Sequence, residues 1–536
     1  MKRITALALA LALAMSLTAC GQKTETQETD QPTYDGAAAI LLSDDGITVD
    51  GQPVSSDETA AVYTANDIVF YLEGQGITYG EGTEADEHSQ AEADAHTVVH
   101  ITQPGTYVLS GSLSAGQVAV DLGEDAEEDP NAVVTLILNG VDITCTVAPA
   151  VIFYNVYECG STDTETAVKD VDTSAAGANV LIADGTVNNI TGSYVARIYK
   201  PDSVELSEDG TEVVDSKKLH KYDGAFYSKM SMNVDGEEQG TGVLNIDAEN
   251  EGLDSELHLT ANGGNINITS GNDGINTNED GVSVTTINGG TLTIDVDGAT
   301  GEGDGIDSNG WLVINGGTVI TAACGNSQDA GIDSDNGIYI NGGTVAASGN
   351  MLDRIDGGDQ PYVVFGFRQR QQGGTAVTLK AADGTVAGEW TPANDFTYLV
   401  VSSPDLTEGT YTLWSGDIQL AGAAGMTGGK GGMGGFRPDG EEPPEGFEKP
   451  EGMEPPEGDP DQRPEKEHPQ PNEDGTITLP DGTVIDPSEM KRPEDGERPE
   501  RPDGGEGPSD MENMEVSTDF VLTAEGGTFG NISAAE

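Results

Sequence analysis

The sequence predicts an all-β chain: a right-handed parallel β-helix, then a C-terminal β capping region that is interrupted by a disordered acidic, proline-rich insertion. Three observations carry this prediction. Asn-Gly-Gly recurs at Asn262, Asn288, Asn315 and Asn341, at spacings of 26, 27 and 26 residues. A second motif, Gly-(Leu/Ile)-(Asp/Asn)-(Ser/Thr), recurs in the same register, beginning at Gly252, Gly274, Gly305 and Gly331. Short β-branched runs alternate with Gly, Asn and Asp turns, and no amphipathic helical period is visible.

In chain order, the first segment reads as a processing signal. Lys2 and Arg3 form a positive start, Ile4 to Met15 an apolar run too short to span a bilayer, and Leu17-Thr18-Ala19-Cys20 has the form of a bacterial lipobox. Residues 1–19 are therefore expected to be removed and Cys20 to be lipidated. A diacylglycerol plus an N-terminal acyl chain exceeds the two signals that stable anchoring needs. The expected location is the outer face of the bacterial cell membrane, with lipid as the only membrane contact. Residues 20–37 are polar, a tether. The other cysteines, Cys145, Cys159 and Cys324, are odd in number and widely spread, which fits neither a disulfide framework nor a zinc site.

Residues 38–350 are assigned to the β-helix. A period of 20 to 50 residues means a solenoid or a propeller, and a propeller blade needs roughly forty or more. Period-2 alternation then specifies strands. Counting from each Asn, position −1 is Ala261, Ile287, Ile314 and Ile340, and position −3 is Leu259, Thr285, Leu312 and Ile338. Position +4 is Ile266, Leu292, Val319 and Val345, and position +6 is Ile268, Ile294, Thr321 and Ala347. These are inward columns, stacked at about 4.8 Å. The Asn residues are expected to form an amide ladder and the paired glycines to supply positive φ.

Residues 351–424 read as the capping region, and Trp390 and Trp414 as part of its core. Residues 425–515 hold 16 of the 25 prolines, mixed with Glu, Asp and Gly, and cannot bury enough apolar surface to fold. Residues 516–536 return to strand character, in Asp519 to Thr523 and Gly527 to Phe529, and are expected to rejoin the cap.

Charge restricts function. The chain of 536 residues has 94 Asp and Glu against 23 Lys and Arg, a formal net charge of −71. Such a surface repels phosphate and excludes a nucleic-acid partner. Glycine, at 73 residues, is about twice its usual share of ~7%.

The second motif carries chemistry. Asp254, Asn276, Asp307 and Asp333 would stack one repeat apart, flanked by Glu251, Asp273, Asp304 and Asp329. Two carboxylates at that spacing repel by roughly 3.5 kcal/mol at an effective dielectric of 20, so cations are expected between them. Hard oxygen ligands of variable number favour Ca²⁺ over Zn²⁺ or Mg²⁺. Glu279, Asp280, Asp295, Asp297, Glu302 and Asp335 are further candidates, and the bland alternative is a solvated acidic face.

No catalytic residue is assigned. Between Met230 and Asp353 there is no Lys or Arg, so the repeats lack an amine or guanidinium to abstract a proton, which disfavours a β-elimination lyase. Aspartates two repeats apart, at ~9.6 Å, leave hydrolysis geometrically open. A cation beside such a pair would lower its pKa and compete with acid catalysis. His258, at an outward position, could serve an enzyme, but a lone outward histidine reads first as a surface group. Trp311 (−4) and Tyr339 (−2) face outward on adjacent repeats, where they can stack on sugar rings; coverage by another segment is the alternative.

Several stretches together resemble a known family: Gly105 to Gly111, Leu136 to Val141, Gly224 to Lys229, Gly242 to Ile246, the repeated Gly-Ile-Asp and Asn-Gly-Gly motifs, and Thr375 to Trp414 with Val401-Ser402-Ser403-Pro404. They are similar to the bacterial carbohydrate-binding parallel β-helix family, which is pectate-lyase-like in fold and binds polysaccharide with Ca²⁺ without cleaving it. The resemblance implies a monomeric polysaccharide-binding protein. The segment from Ser161 to about Lys221 departs from that pattern. A polysaccharide lyase or hydrolase, and a Ca²⁺-dependent adhesin or stalk, are the rival readings.

Overall fold

The computed structural model describes residues 34–207, 209–425 and 516–535, with 477–478 and 484–485. The chain divides into two units, Met1–Gly428 with Val516–Glu536, and Gly429–Glu515. Of the second, the described part is an antiparallel pairing of Ile477–Thr478 with Val484–Ile485. The signal, Cys20, most of the tether and nearly all of the acidic insertion lie outside the described residues.

The first unit is all-β. Among its described residues the one α-helix is the single turn Gln90–Ala93, closed by a capping box between Ser89 and Glu92. Strands form where β-branched runs alternate, and like positions of successive repeats lie side by side in parallel register. Leu259 pairs with Thr285, Thr285 with Leu312, and Leu312 with Ile338. Ile266, Leu292, Val319 and Val345 form a second ladder. A third is an eight-stranded sheet running from Val62–Ala65 to Ile306–Ser308, parallel except at its first pair. In it Val151, Phe226, Leu253, Ile275 and Ile306 are successive partners.

Every side chain of the four inward columns read from the sequence is buried. Each fully buried Ile or Leu contributes roughly 1.5–3 kcal/mol of transfer free energy, and the core is their continuous stack. The amide ladder also forms: Asn288 Nδ2 donates to Asn262 Oδ1 (2.8 Å), Asn315 to Asn288 (2.9 Å) and Asn341 to Asn315 (2.7 Å).

The paired glycines divide their work. Only the second has positive φ, at +84° in Gly264, +79° in Gly290 and Gly317, and +86° in Gly343. The first is needed for close approach, since a Cβ on Gly289, Gly316 or Gly342 would lie 2.6 Å from the carbonyl oxygen of the Asn one repeat earlier.

After Gly349 antiparallel pairs join the parallel ones. Phe396–Ser402 pairs with both Thr344–Gly349 and Tyr362–Gln371. The last strand, Gly526–Ala534, lies parallel to Tyr362–Gln371 and antiparallel to Ile418–Ala424. A second core forms there around Phe365, Phe396, Phe520 and Phe529. Trp390 is packed against that core, whereas Trp414 is half-buried at its edge beneath the Lys380 ammonium. Cys145, Cys159 and Cys324 are free thiols.

Ile314→Ala should lower the unfolding free energy by about 2–5 kcal/mol in denaturant titration. Asn315→Ala, which removes exposed amide bonds, should cost about 1 kcal/mol. Gly316→Ala should cost more than Asn315→Ala, because its new methyl group meets backbone rather than a movable side chain.

Candidate cation and ligand site

The third ladder points Leu253, Ile275 and Ile306 inward and sets Asp254, Asn276 and Asp307 in register on the other face. Asp333 continues the stack, its N–H donating to the Ile306 carbonyl at 2.7 Å. One repeat earlier the same position is Tyr227, paired with Asp254. Beside it, Gly224 leaves the space that Asp254 fills, since a Cβ there would lie 2.5 Å from the Asp254 Cβ.

Three carboxylates converge at this point. Asp223, Glu251 and Asp254 each bring one oxygen within 4.8 Å of the others. Their exposures are 9%, 5% and 0%, so water does not screen them. Asn276 Nδ2 donates to Glu251 Oε1 (3.0 Å), and Asn278 Nδ2 to Asp254 Oδ1 (2.7 Å). Lys221 Nζ lies 2.9 Å from Asp223 Oδ2. Glu251 Oε2, Asp254 Oδ2 and Asn276 Oδ1 are buried without a hydrogen-bond partner. Leaving such acceptors unpaired is costly, and an all-oxygen set of this kind fits a hard cation such as Ca²⁺ or Mg²⁺.

The electrostatics follow from burial. Burial pushes the Glu251 carboxyl well above its ordinary range, with Asp254, Asp223 and Asp273 adding to the effect. Asp254 rises for the same reason, reinforced by Asp223 and Glu256. Farther along, burial and then Asp273 push Asp304 up to about 10. Burial raises Asp273 to about 7 against the hydrogen bond it accepts from the Asp304 N–H. Asp307 rises to about 7 through burial and then Asp273. Asp333 also reaches about 7, through burial and then Asp353.

The acidic column thus runs on along the ladder, broken by the neutral Asn276, but among the described residues only Asp223, Glu251 and Asp254 form a cluster of metal-ligand size. Asp329 sits one position off the column. Its place is taken by Ala330, whose carbonyl accepts from the Gly305 N–H, while the Asp329 carboxylate accepts from the Gly303 N–H (2.8 Å) and the Ser327 hydroxyl. Glu279, Asp280, Asp297, Glu302 and Asp335 are exposed, and Asp295 accepts from Asn394 Nδ2 at 3.0 Å.

Sequence reasoning missed Asp223, Lys221 and Lys218, all outside the repeats. Val195–Tyr199 and Lys218–Tyr222 form an antiparallel hairpin. Its Tyr222 ring lies against Tyr227 (5.1 Å between centroids) and Tyr154 (5.5 Å), so the hairpin covers the outer face of the third ladder and buries the triad. The hairpin supplies the amines that the repeats lack: Lys218 pairs with Glu256 at 2.9 Å, Lys221 with Asp223. The available signal was Gly224-Ala-Phe-Tyr-Ser, which lies in register with Glu251-Gly-Leu-Asp-Ser and so places Asp223 just ahead of the Glu251 position.

The aromatic pair is placed differently from the expectation of a bare platform. Trp311 pairs with Gly337 and Val313 with Tyr339, so the two rings share a face, both half-buried. The Lys169 ammonium lies over the Tyr339 ring, 5.0 Å from its centroid. Thr173 on the same segment bonds Asn233 and Thr260, farther along that face. His258 is corrected from surface to interior: it is 1% exposed, and neither ring nitrogen makes a hydrogen bond of standard geometry. Burial lowers its pKa, with Glu158 opposing.

Between the ordinary carboxylate value near 4 and about 7, the folded protein binds more protons at Asp273, Asp307 and Asp333 than the unfolded chain does. Stability in chelator should therefore fall as pH rises through that window, giving a melting temperature several degrees higher at pH 5 than at pH 8. Asp307→Asn should raise the melting temperature at pH 8 and flatten the slope.

The family model described as "Carbohydrate-binding domain-containing protein" matches residues 95–384. A protein of Acetivibrio thermocellus with the same description is 24% identical over 263 residues, covering 49% of this chain and 63% of the relative, so the chain spans less than two thirds of that protein's length. A solved structure of a polysaccharide lyase-like protein from C. thermocellum, a gadolinium derivative, aligns with 20% identity and a TM-score of 0.31 over 60% of this chain and 93% of the other. Since the family match covers more than half of the 536 residues, the chain belongs to the carbohydrate-binding domain-containing protein family.

Proposed function

We propose that this chain binds polysaccharide at the cell surface through a right-handed parallel β-helix stiffened by Ca²⁺, and that it does not cleave its ligand. The observation that carries the reading is the buried Asp223, Glu251 and Asp254 triad with its unpartnered oxygens. Glu251 Oε2, Asp254 Oδ2 and Asn276 Oδ1 are the atoms that would meet the ion, with Asp223 as the third carboxylate. When bound, Ca²⁺ would neutralise the inner end of the acidic column. Family membership supports the polysaccharide ligand.

Residues 38–350 would form the binding body and 351–424 with 516–536 its cap. Cys20 would carry the lipid anchor and residues 20–37 would lift the body from the membrane. Asp273, Asp304, Asp307 and Asp333 extend the acidic face along which further ions would be held; Asp329 is engaged with Gly303 and Ser327 and is left out of that set. For Trp311 and Tyr339 to stack on a sugar ring, Lys169 would have to leave Tyr339.

One observation favours a lyase as a second reading. The hairpin places Lys218 and Lys221 beside the triad, where a proton-abstracting amine would be needed. Yet the Asp223 carboxylate holds the Lys221 ammonium and raises its pKa, which suits a counter-ion better than a base.

A glycan array run with Ca²⁺ and again with chelator should give polysaccharide signals that disappear in chelator. A blank array in Ca²⁺ would count against glycan binding and favour a structural stalk. Incubation with polygalacturonate should yield no unsaturated product absorbing in the ultraviolet and no new reducing ends; either product would make the protein an enzyme.

A further inference from the structure

We propose that Lys221 is a tethered counter-ion of the carboxylate triad, one that a divalent cation pushes aside on entry, so that this lysine sets the affinity of the site. The inference rests on the reading of the triad as a cation site. Among the described residues, Lys221 is the one amine within ion-pair distance of a triad carboxylate. It stands at the rim: its side chain is 44% exposed and that of Asp223 12%, so the ammonium reaches inward to a carboxylate that water scarcely touches. No other Lys or Arg can replace it from the repeats, because none occurs between residues 230 and 353.

The geometry gives the direction of the effect. With Lys221 in place, one of the three carboxylates already has a cationic partner, while the two unpartnered carboxylate oxygens, on Glu251 and Asp254, wait deeper in the site. A divalent ion drawn to those oxygens comes to rest within a few ångströms of the ammonium and repels it. Lysine has a flexible four-carbon stem and a strongly hydrated head, and from its half-exposed position it can swing into water. The ion therefore works against the Lys221 to Asp223 contact, and metal affinity is lower than the three carboxylates alone would give. Lys218 is engaged by Glu256 rather than by a triad carboxylate, and Lys229 by Glu127.

Calorimetric titration of the chelator-treated, full-length protein with Ca²⁺ tests the inference. Lys221→Met should bind Ca²⁺ about tenfold more tightly than wild type. Lys229→Met, which removes the same charge elsewhere, should bind as wild type does. Equal or weaker binding by Lys221→Met would overturn the proposal. A second measurement needs no variant: acetylation of the wild-type protein with acetic anhydride, followed by peptide mass mapping, reads the freedom of each lysine. Saturating Ca²⁺ should increase modification of Lys221 several-fold relative to Lys229, and an unchanged or reduced ratio would equally overturn it. If the wild-type protein takes up no Ca²⁺, the cation reading falls and this inference with it. If wild type binds Ca²⁺ but neither difference appears, only the role of Lys221 is lost.

Discussion

Parallel strand pairing in strict register governs this molecule. Pairing Leu253 with Ile275 and Ile275 with Ile306 stacks the apolar side chains into one core, and the same hydrogen bonds force Asp254, Asn276 and Asp307 to stack outside it. The two stacks cannot be separated, because a one-residue shift would exchange their faces. Apolar burial thus fixes the acidic column, and the like-charge repulsion of roughly 3.5 kcal/mol per ionised neighbouring pair is a consequence of the fold. Asn276 interrupts the column with a neutral amide that donates to Glu251 and so relieves part of that repulsion.

The strain is greatest where the column is covered. A carboxylate on an open acidic face is hydrated and titrates near its ordinary value, as expected for a charge in water. Glu251 and Asp254 differ because the hairpin that ends in Tyr222 excludes solvent from them, and burial is the largest cause of their raised pKa. The same hairpin brings Lys221 and leads into Asp223, so the segment that desolvates the site also supplies part of its compensation. A second portion of that long insertion, carrying Lys169 and Thr173, lies over the Trp311 and Tyr339 face. Both surfaces that the repeats would present are therefore governed by residues that do not belong to the repeats.

The turns show how local chemistry supports the register. Each Asn-Gly-Gly bend uses one glycine for a left-handed backbone and the other for contact with the bend before it, while the amides bond from repeat to repeat. The cap changes the pairing geometry at Thr344–Gly349, where an antiparallel strand covers the end of a parallel ladder and leaves no open edge there.

The repeat motifs by themselves determined the strands, the inward columns, the amide ladder and the outward acidic column, because a period of 26 or 27 residues and an alternation of two are local patterns that stacking merely multiplies. The off-column place of Asp329 was not legible, since it depends on Ala330 continuing the ladder. Burial of His258 was hidden likewise: its outward position in the strand gives no sign that the Gly160 backbone closes over it. Only the tertiary structure decided that Asp223 and Lys221 join Glu251 and Asp254. Their approach depends on a non-repetitive insertion folding back across the sheet, and the position of a desolvated charge is set by what covers it rather than by its neighbours in sequence.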